Sequence, residues 1–197
     1  MNRDIMICGV GGQGTVLASR IIAASAMEEG YDVHSAETIG MAQRGGSVTS
    51  QVRIGEAYAP LIPHGSAQLM LAFEPAEAVR NLCYMAKDGT VVVNTAATKP
   101  VTASLTGSGY DGKEMTEYLS GKCKCIFVDA DALCAPFGSK KFFNIMMVGI
   151  AAGAGALGLD KETVIGQIRK CVKERFVETN IQAFLAGYET GEKESSR

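Results

Sequence analysis

Apolar runs and stretches of helical spacing take turns along the chain, and the pattern predicts strands alternating with helices. Ile5, Met6, Ile7 and Cys8 form a continuous apolar run of the buried-strand kind, and Val16, Leu17, Ile21 and Ile22 then recur at helical spacing. A helix over 15–29 follows, with Ala18, Ile21, Ile22 and Ser25 toward a sheet and Gly30 as its stop. Residues 32–36 are the expected second strand, parallel to the first across a right-handed crossover. Residues 47–54 alternate Val48, Ser50, Val52 and Ile54 with Thr49, Gln51 and Arg53, as a half-buried strand does. Residues 57–63 look extended, with Pro60 and Pro63 keeping them out of a central strand.

Further along, 69–73 and 90–94 are apolar runs of the buried parallel type. Between them Pro75 opens a helix at its first position, carrying Val79, Leu82, Cys83 and Ala86 and closed by Asp88-Gly89. Residues 101–110 are weakly patterned, 112–121 look helical, and 126–128 form a strand. Asp160 caps a helix bearing Val164, Ile165, Ile168 and Val172, and a last helix over 175–188 buries Phe176, Ile181, Phe184 and Leu185. The resulting fold class is α/β: a Rossmann-like, doubly wound, mostly parallel sheet with a helical C-terminal tail. One domain spans 1–190, and 191–197 is a polar, frayed end.

The stretch from Gly9 to Thr15 joins the first strand to the first helix and carries four glycines. Such a loop lets a phosphate approach without meeting a Cβ, and it delivers free N–H groups and the positive end of a helix dipole to one point. Gly9, Gly11 and Gly14 satisfy the spacing of a dinucleotide-binding loop, and Glu37 lies where a ribose-binding acid is expected. A tight turn that needs glycine only for its geometry is the alternative. A second stretch, 37–47, has neither helical nor strand periodicity. Its Arg44 beside Gly45 and Gly46 suits a carboxylate or phosphate, or is a solvated loop cation. Thr95, Thr98, Lys99 and Pro100 form a polar loop at a strand's carboxyl end, where ligands gather in open sheets.

Other candidates read as structural. His34 and His64 have no second ligand nearby, and Asp131 beside Asp129 is placed to cap a helix. Cys123 and Cys125 would face one way at a strand edge, but no ferredoxin-type spacing follows, and no metal site is assigned. With 197 residues the chain suits one domain, and its six scattered cysteines fit reduced thiols in a cytoplasmic protein with no signal peptide. A formal net charge of -2 with mixed signs leaves no footprint for nucleic acid. Residues 142–159 are apolar except for Asn144 and approach the length of a membrane span. Their Gly and Ala content instead fits a buried helix, in which Gly149 and Gly153 let another helix approach closely, as at a subunit contact.

Gly9–Thr15 together with 40–47 resembles the gamma-type domain of 2-oxoacid:ferredoxin oxidoreductases. The likeness continues through Pro60-Leu61-Ile62-Pro63, Leu71-Ala72-Phe73-Glu74-Pro75 and Val92-Val93-Asn94-Thr95 to Asn180, Ala183, Phe184 and Gly187. Within the family it is strongest to the separate beta subunit of the indolepyruvate type. The resemblance implies a subunit, inactive alone, of a hetero-oligomer whose larger alpha subunit carries thiamine diphosphate and 4Fe-4S clusters. It implies arylpyruvate as substrate, coenzyme A (CoA) as co-substrate, ferredoxin as electron acceptor, and no membrane. It assigns Gly11, Gly12, Gln13, Gly14 and Thr15 to an anionic group such as CoA phosphate. Gln43, Arg44, Gly45 and Gly46 form the second arm, with Arg44 reaching a substrate or CoA anion. Members acting on pyruvate, 2-oxoisovalerate or 2-oxoglutarate share both glycine stretches. A free-standing NAD- or FAD-binding protein is the alternative of another class.

Overall fold

In the computed structural model, which describes residues 1–40, 45–98 and 110–196, the sheet consists of β1 (Arg3–Val10), β2 (Val33–Ile39), β3 (Ser47–Ile54), β4 (Ala67–Ala72), β5 (Met85–Asn94) and β6 (Lys124–Val128) in the order β2-β3-β1-β4-β5-β6. The pairs β1–β4, β4–β5 and β5–β6 are parallel, whereas β3 runs antiparallel to both β1 and β2. The second strand therefore points the same way as β1 but does not lie beside it. The reason is a matched edge: β3 pairs along all of β1, from Arg3 opposite Ile54 to Val10 opposite Ser47. Its Val52 and Ile54 face the main core, while Arg53 on the other face donates to Asp4 (2.8 Å).

The helices are α1 (Thr15–Glu28), α2 (Pro75–Arg80), α3 (Lys113–Ser120), α4 (Ala130–Cys134), α5 (Phe143–Gly153), α6 (Lys161–Cys171) and α7 (Glu174–Ser195). Successive strand residues point to opposite faces. Ile5, Ile7, Leu69 and Leu71 thus pack with residues of α1, α5, α6 and α7, and Met6, Cys8, Met70 and Ala72 with Ala78 of α2 and Leu119 of α3. Each fully buried Ile or Leu contributes roughly 1.5–3 kcal/mol.

The apolar stretch holds α5, which ends at Gly153 short of residue 159, and α5 packs against α7 of the same chain. A Cβ on Gly149 or Gly153 would lie 2.2 Å from the Phe184 carbonyl or 2.0 Å from that of Tyr188, and one on Gly187 or Gly191 would lie 2.3 or 2.1 Å from Met146 or Ile150 carbonyls. The small-residue spacing thus serves an internal contact, with backbone against backbone. No described helix is long and apolar enough to cross a membrane.

Several boundaries differ from the sequence expectation. α2 stops at Arg80, a 3-10 turn follows at Leu82–Tyr84, and Asp88-Gly89 lies inside β5. At Gly89 a Cβ would sit 2.7 Å from the Ala67 carbonyl, beside a register shift in the β4–β5 pairing, so the glycine marks a bulge and not a helix end. Asp129, not Asp131, caps α4, accepting from the amides of Asp131 (2.8 Å) and Ala132 (3.1 Å). Residues 57–63 form a loop without strand pairing, tied to Arg53 through the Ala59 and Leu61 carbonyls. α7 continues to Ser195 with Gly191 buried, and Phe176 is 40% exposed instead of buried. Gly30 does close α1, with the amides of Gly30 and Tyr31 bonded to the Met27 and Ala26 carbonyls. Asp160 caps α6 through the Thr163 amide.

Candidate functional site

The parallel strands β1, β4, β5 and β6 end at one edge of the sheet, and a cleft of about 700 Å³ opens there. It is lined by Gly12, Gln13 and Gly14, by Asn94 and Ala96–Thr98 after β5, by Ala130 and Asp131 of α4, and by Ser139–Lys141, Phe143 and Asn144 at the start of α5. Three amide side chains hold its walls. Gln13 accepts from the Val10 amide (2.8 Å) and donates to the Phe73 carbonyl (3.2 Å) and to Thr98 Oγ1 (3.4 Å). Asn94 donates to the Phe73 (3.2 Å) and Ala96 (2.9 Å) carbonyls and accepts from the Ala96 (3.1 Å) and Ala130 (3.3 Å) amides. Asn144 donates to the Gly14 carbonyl (3.3 Å), fixing the glycine loop to α5.

This edge favours an anion. α1 begins at Thr15 and α5 at Phe143, so the positive ends of two helix dipoles meet across the cleft, each worth about half a charge. Lys140 is paired with Asp131, and Lys141 makes no ion pair among the described residues. The Gly12 and Gly14 amides donate no hydrogen bond among those residues. Oδ1 of the buried Asn144 likewise has no partner there.

The two glycine stretches are brought together. The Gly11 amide donates to the Gly46 carbonyl (2.9 Å), and the Gly45 amide to the Gly11 carbonyl (3.5 Å). Of the five residues expected to meet an anion in the first stretch, Gly12, Gln13 and Gly14 line the cleft. The amides of Gly11 and Gln13 are already bonded within the fold, and Thr15 is only 3% exposed. Gln43 and Arg44 lie outside the described residues, as do Lys99, Pro100 and 101–109. Glu37 is removed from the loop, because β3 stands between β2 and β1; its carboxylate accepts from Ser19 Oγ of α1 (3.3 Å). His64 packs edge-on to Tyr84, and His34 stands within β2. Cys123 and Cys125 have sulfurs 3.5 Å apart, and burial together with the neighbouring thiol pushes Cys125 up to about 12.

Four cleft residues carry weak signals in the sequence. Asn144 is the lone polar side chain in an apolar run, and Asn94 ends an apolar strand. Both are buried amides, and buried amides need partners. Lys140 and Lys141 read as ordinary surface lysines, and only the tertiary fold brings them to the glycine loop.

Residues 4–190 match the pyruvate ferredoxin/flavodoxin oxidoreductase family. The chain belongs to that family. Among relatives of this family member, the indolepyruvate oxidoreductase subunit IorB of Archaeoglobus fulgidus is 40% identical over 192 residues, covering 95% of this chain and 94% of that protein. The protein of the same name from Methanothermobacter thermautotrophicus is 36% identical over 190 residues, covering 95% and 97%. A solved structure of 2-oxoglutarate:ferredoxin oxidoreductase from Magnetococcus marinus, with 2-oxoglutarate, coenzyme A and succinyl-CoA bound, shares the fold with a TM-score of 0.76. The identity is 17%, over 98% of this chain and 31% of that one.

Proposed function

We propose that the chain is the small subunit of an indolepyruvate-type 2-oxoacid:ferredoxin oxidoreductase and that its cleft receives an anionic part of CoA. Similarity at 36–40% identity to indolepyruvate oxidoreductase subunits over nearly the whole chain supports the first part. Convergence of the α1 and α5 N-termini with Lys141 on the open Gly12–Gly14 loop supports the second. The reaction takes an arylpyruvate and CoA to aryl-acetyl-CoA, CO2, one proton and two electrons, which two ferredoxins accept.

Among the described residues no three His, Cys, Asp or Glu side chains converge as metal ligands, a donor set that does not fit an iron–sulfur cluster or a metal-bound diphosphate. In this reading thiamine diphosphate, which supplies the electron sink for decarboxylation, and the 4Fe-4S clusters reside on the larger alpha subunit. This chain's task is to bind, orient and neutralise. Gly12 and Gly14 offer amides to a phosphate, Lys141 adds a cation, and Gln13 and Asn144 hold the loop rigid. Arg44, next to Gly45, reaches for the oxoacid or CoA anion within the assembled complex.

Co-expression with the larger subunit tests the assignment: the complex should be brown and oxidise arylpyruvate, and this chain alone should not. A colourless single chain that completes the reaction, or one that binds NAD or FAD saturably at micromolar concentration, would overturn it. Steady-state kinetics of the complex carrying Arg44→Ala test the second arm. Unchanged KM and kcat for both oxoacid and CoA would remove Arg44 from that role.

A further inference from the structure

Glu74 follows β4 at the centre of the sheet and is 2% exposed, yet it has no cationic partner among the described residues. A carboxylate so placed is rare unless its charge is met. Here neutral donors meet it. One oxygen accepts from the Thr98 amide (2.8 Å) and the other from the Tyr110 hydroxyl. Thr98 and Tyr110 stand on either side of residues 99–109. Thr98 also accepts from Gln13, which holds the Val10 amide. A single carboxylate therefore begins a chain of bonds that crosses from α2 through the cleft wall to the glycine loop.

We propose that Glu74 is a positioning residue, whose buried carboxylate ties the Ala96–Thr98 wall of the cleft and Tyr110 into the geometry that receives the anionic ligand. The clause about the ligand rests on the CoA reading above; the tether stands on the bonds alone. The charged groups around Glu74 are Glu77 and Arg80 of α2, themselves bonded to each other, with Glu77 also accepting from Ser47 at the second glycine stretch (2.7 Å). Lys113 and Asp111 pair with each other in solvent at the start of α3. Burial raises the Glu74 carboxyl above its usual range, and the bonds from Tyr110 and Thr98 pull it partly back. Keeping it ionised therefore costs stability.

The test uses hydrogen exchange at the Thr98 amide in the full chain, corrected for intrinsic rates, beside calorimetric titration of the assembled complex with CoA. Glu74→Leu, of similar volume and without acceptors, should lower Thr98 protection by about tenfold and weaken CoA binding by a similar factor. Tyr110→Phe, which leaves Glu74 in place, should weaken both less. Glu74→Gln, which keeps a carbonyl acceptor for Thr98, should restore most of the protection. In the wild type the protection should hold at low pH and fall as pH rises through the raised carboxyl range, and in Glu74→Gln it should stay flat. Wild-type protection in a folded Glu74→Leu chain would overturn the tether. A loosened Thr98 with unchanged CoA affinity would overturn the positioning role. A wild-type complex that binds no CoA would instead overturn the CoA reading, and the exchange data would still decide the tether.

Discussion

Alanine at Gly14 tests how the glycine loop is built, because two separate costs fall on one methyl group. Gly14 has φ 83°, a left-handed backbone that costs an L residue roughly 1–2 kcal/mol. Its new Cβ would also lie 2.5 Å from Asn144 Nδ2 and 3.0 Å from Asn144 Cγ. Asn144 is 5% exposed and cannot swing into solvent, so relief means losing its bond to the Gly14 carbonyl, worth about 0.5–1.5 kcal/mol. The sum is about 1.5–3.5 kcal/mol, or a Tm loss of roughly 3–14 °C for a chain of this size. Gly12 provides the control. It has φ 99° and open space around its Cβ position, so Gly12→Ala should show the backbone cost alone, about 2–8 °C.

Differential scanning calorimetry of Gly12→Ala, Gly14→Ala, Asn144→Ala and the Gly14/Asn144 double variant gives the assay. The double variant should lose less than the sum of its parts, since the amide that the methyl group strikes is gone. Equal Tm losses at Gly12 and Gly14, or strict additivity in the cycle, would refute the claim that Asn144 clamps the loop.

Four other outcomes follow from the same structure. Gly153→Ala should destabilise by about 1–3 kcal/mol through overpacking, despite alanine's better helix propensity, because its Cβ meets the Tyr188 carbonyl at 2.0 Å; Gly166→Ala, in open space on α6, should stabilise by up to about 1 kcal/mol, and urea unfolding compares the two. Because the Glu74 pKa is raised above its unfolded value of 4.5, its contribution to stability is full below that pH and is lost as pH rises through the folded value; Tm profiles from pH 4 to 8 should show that loss in the wild type relative to Glu74→Gln. Lys141→Glu should weaken CoA binding to the complex and flatten its salt dependence, read by calorimetry at two ionic strengths. Iodoacetamide at pH 8 should label exposed Cys83 and Cys171 well before buried Cys8 and Cys134, with Cys125 slow because its thiol is pushed up to about 12, as peptide mass spectrometry would resolve.

How much of this could be read from the chain depends on how local each determinant is. The α1, β4 and α6 elements stand close to where periodicity and capping residues put them, since strand period, Pro75, Gly30 and Asp160 act within a few residues. Strand order was not legible. Alternation in 47–54 identifies a half-buried strand, but nothing in those eight residues says that they pair with β1 and exclude β2 from it. Gly89 misled for a similar reason, because a glycine after a helical pattern looks the same whether it ends a helix or relieves a bulge. The glycine loop was legible as the turn that joins the first strand to the first helix. Its partners across the cleft, Asn94, Lys141 and Asn144, come from sequence positions 80 or more residues away and only the fold assembles them.

The position of β3 also explains why the loop need not serve a dinucleotide even though its glycines have the spacing for one. A ribose-binding acid works when the second strand borders the first and ends beside the loop. Here that place belongs to β3, which enters at Ser47 straight after Gly45 and Gly46, so the neighbour of the first glycine stretch is the second stretch and not Glu37. The exchange has a second effect. The bond from Gly11 to the Gly46 carbonyl occupies one donor of the turn, whereas the Gly12 and Gly14 amides have no partners among the described residues. The cleft beside this turn gathers two helix N-termini and Lys141, with Asp131 already engaged by Lys140. In the proposed reading this cleft takes one phosphate and not the extended pyrophosphate and ribose of a dinucleotide.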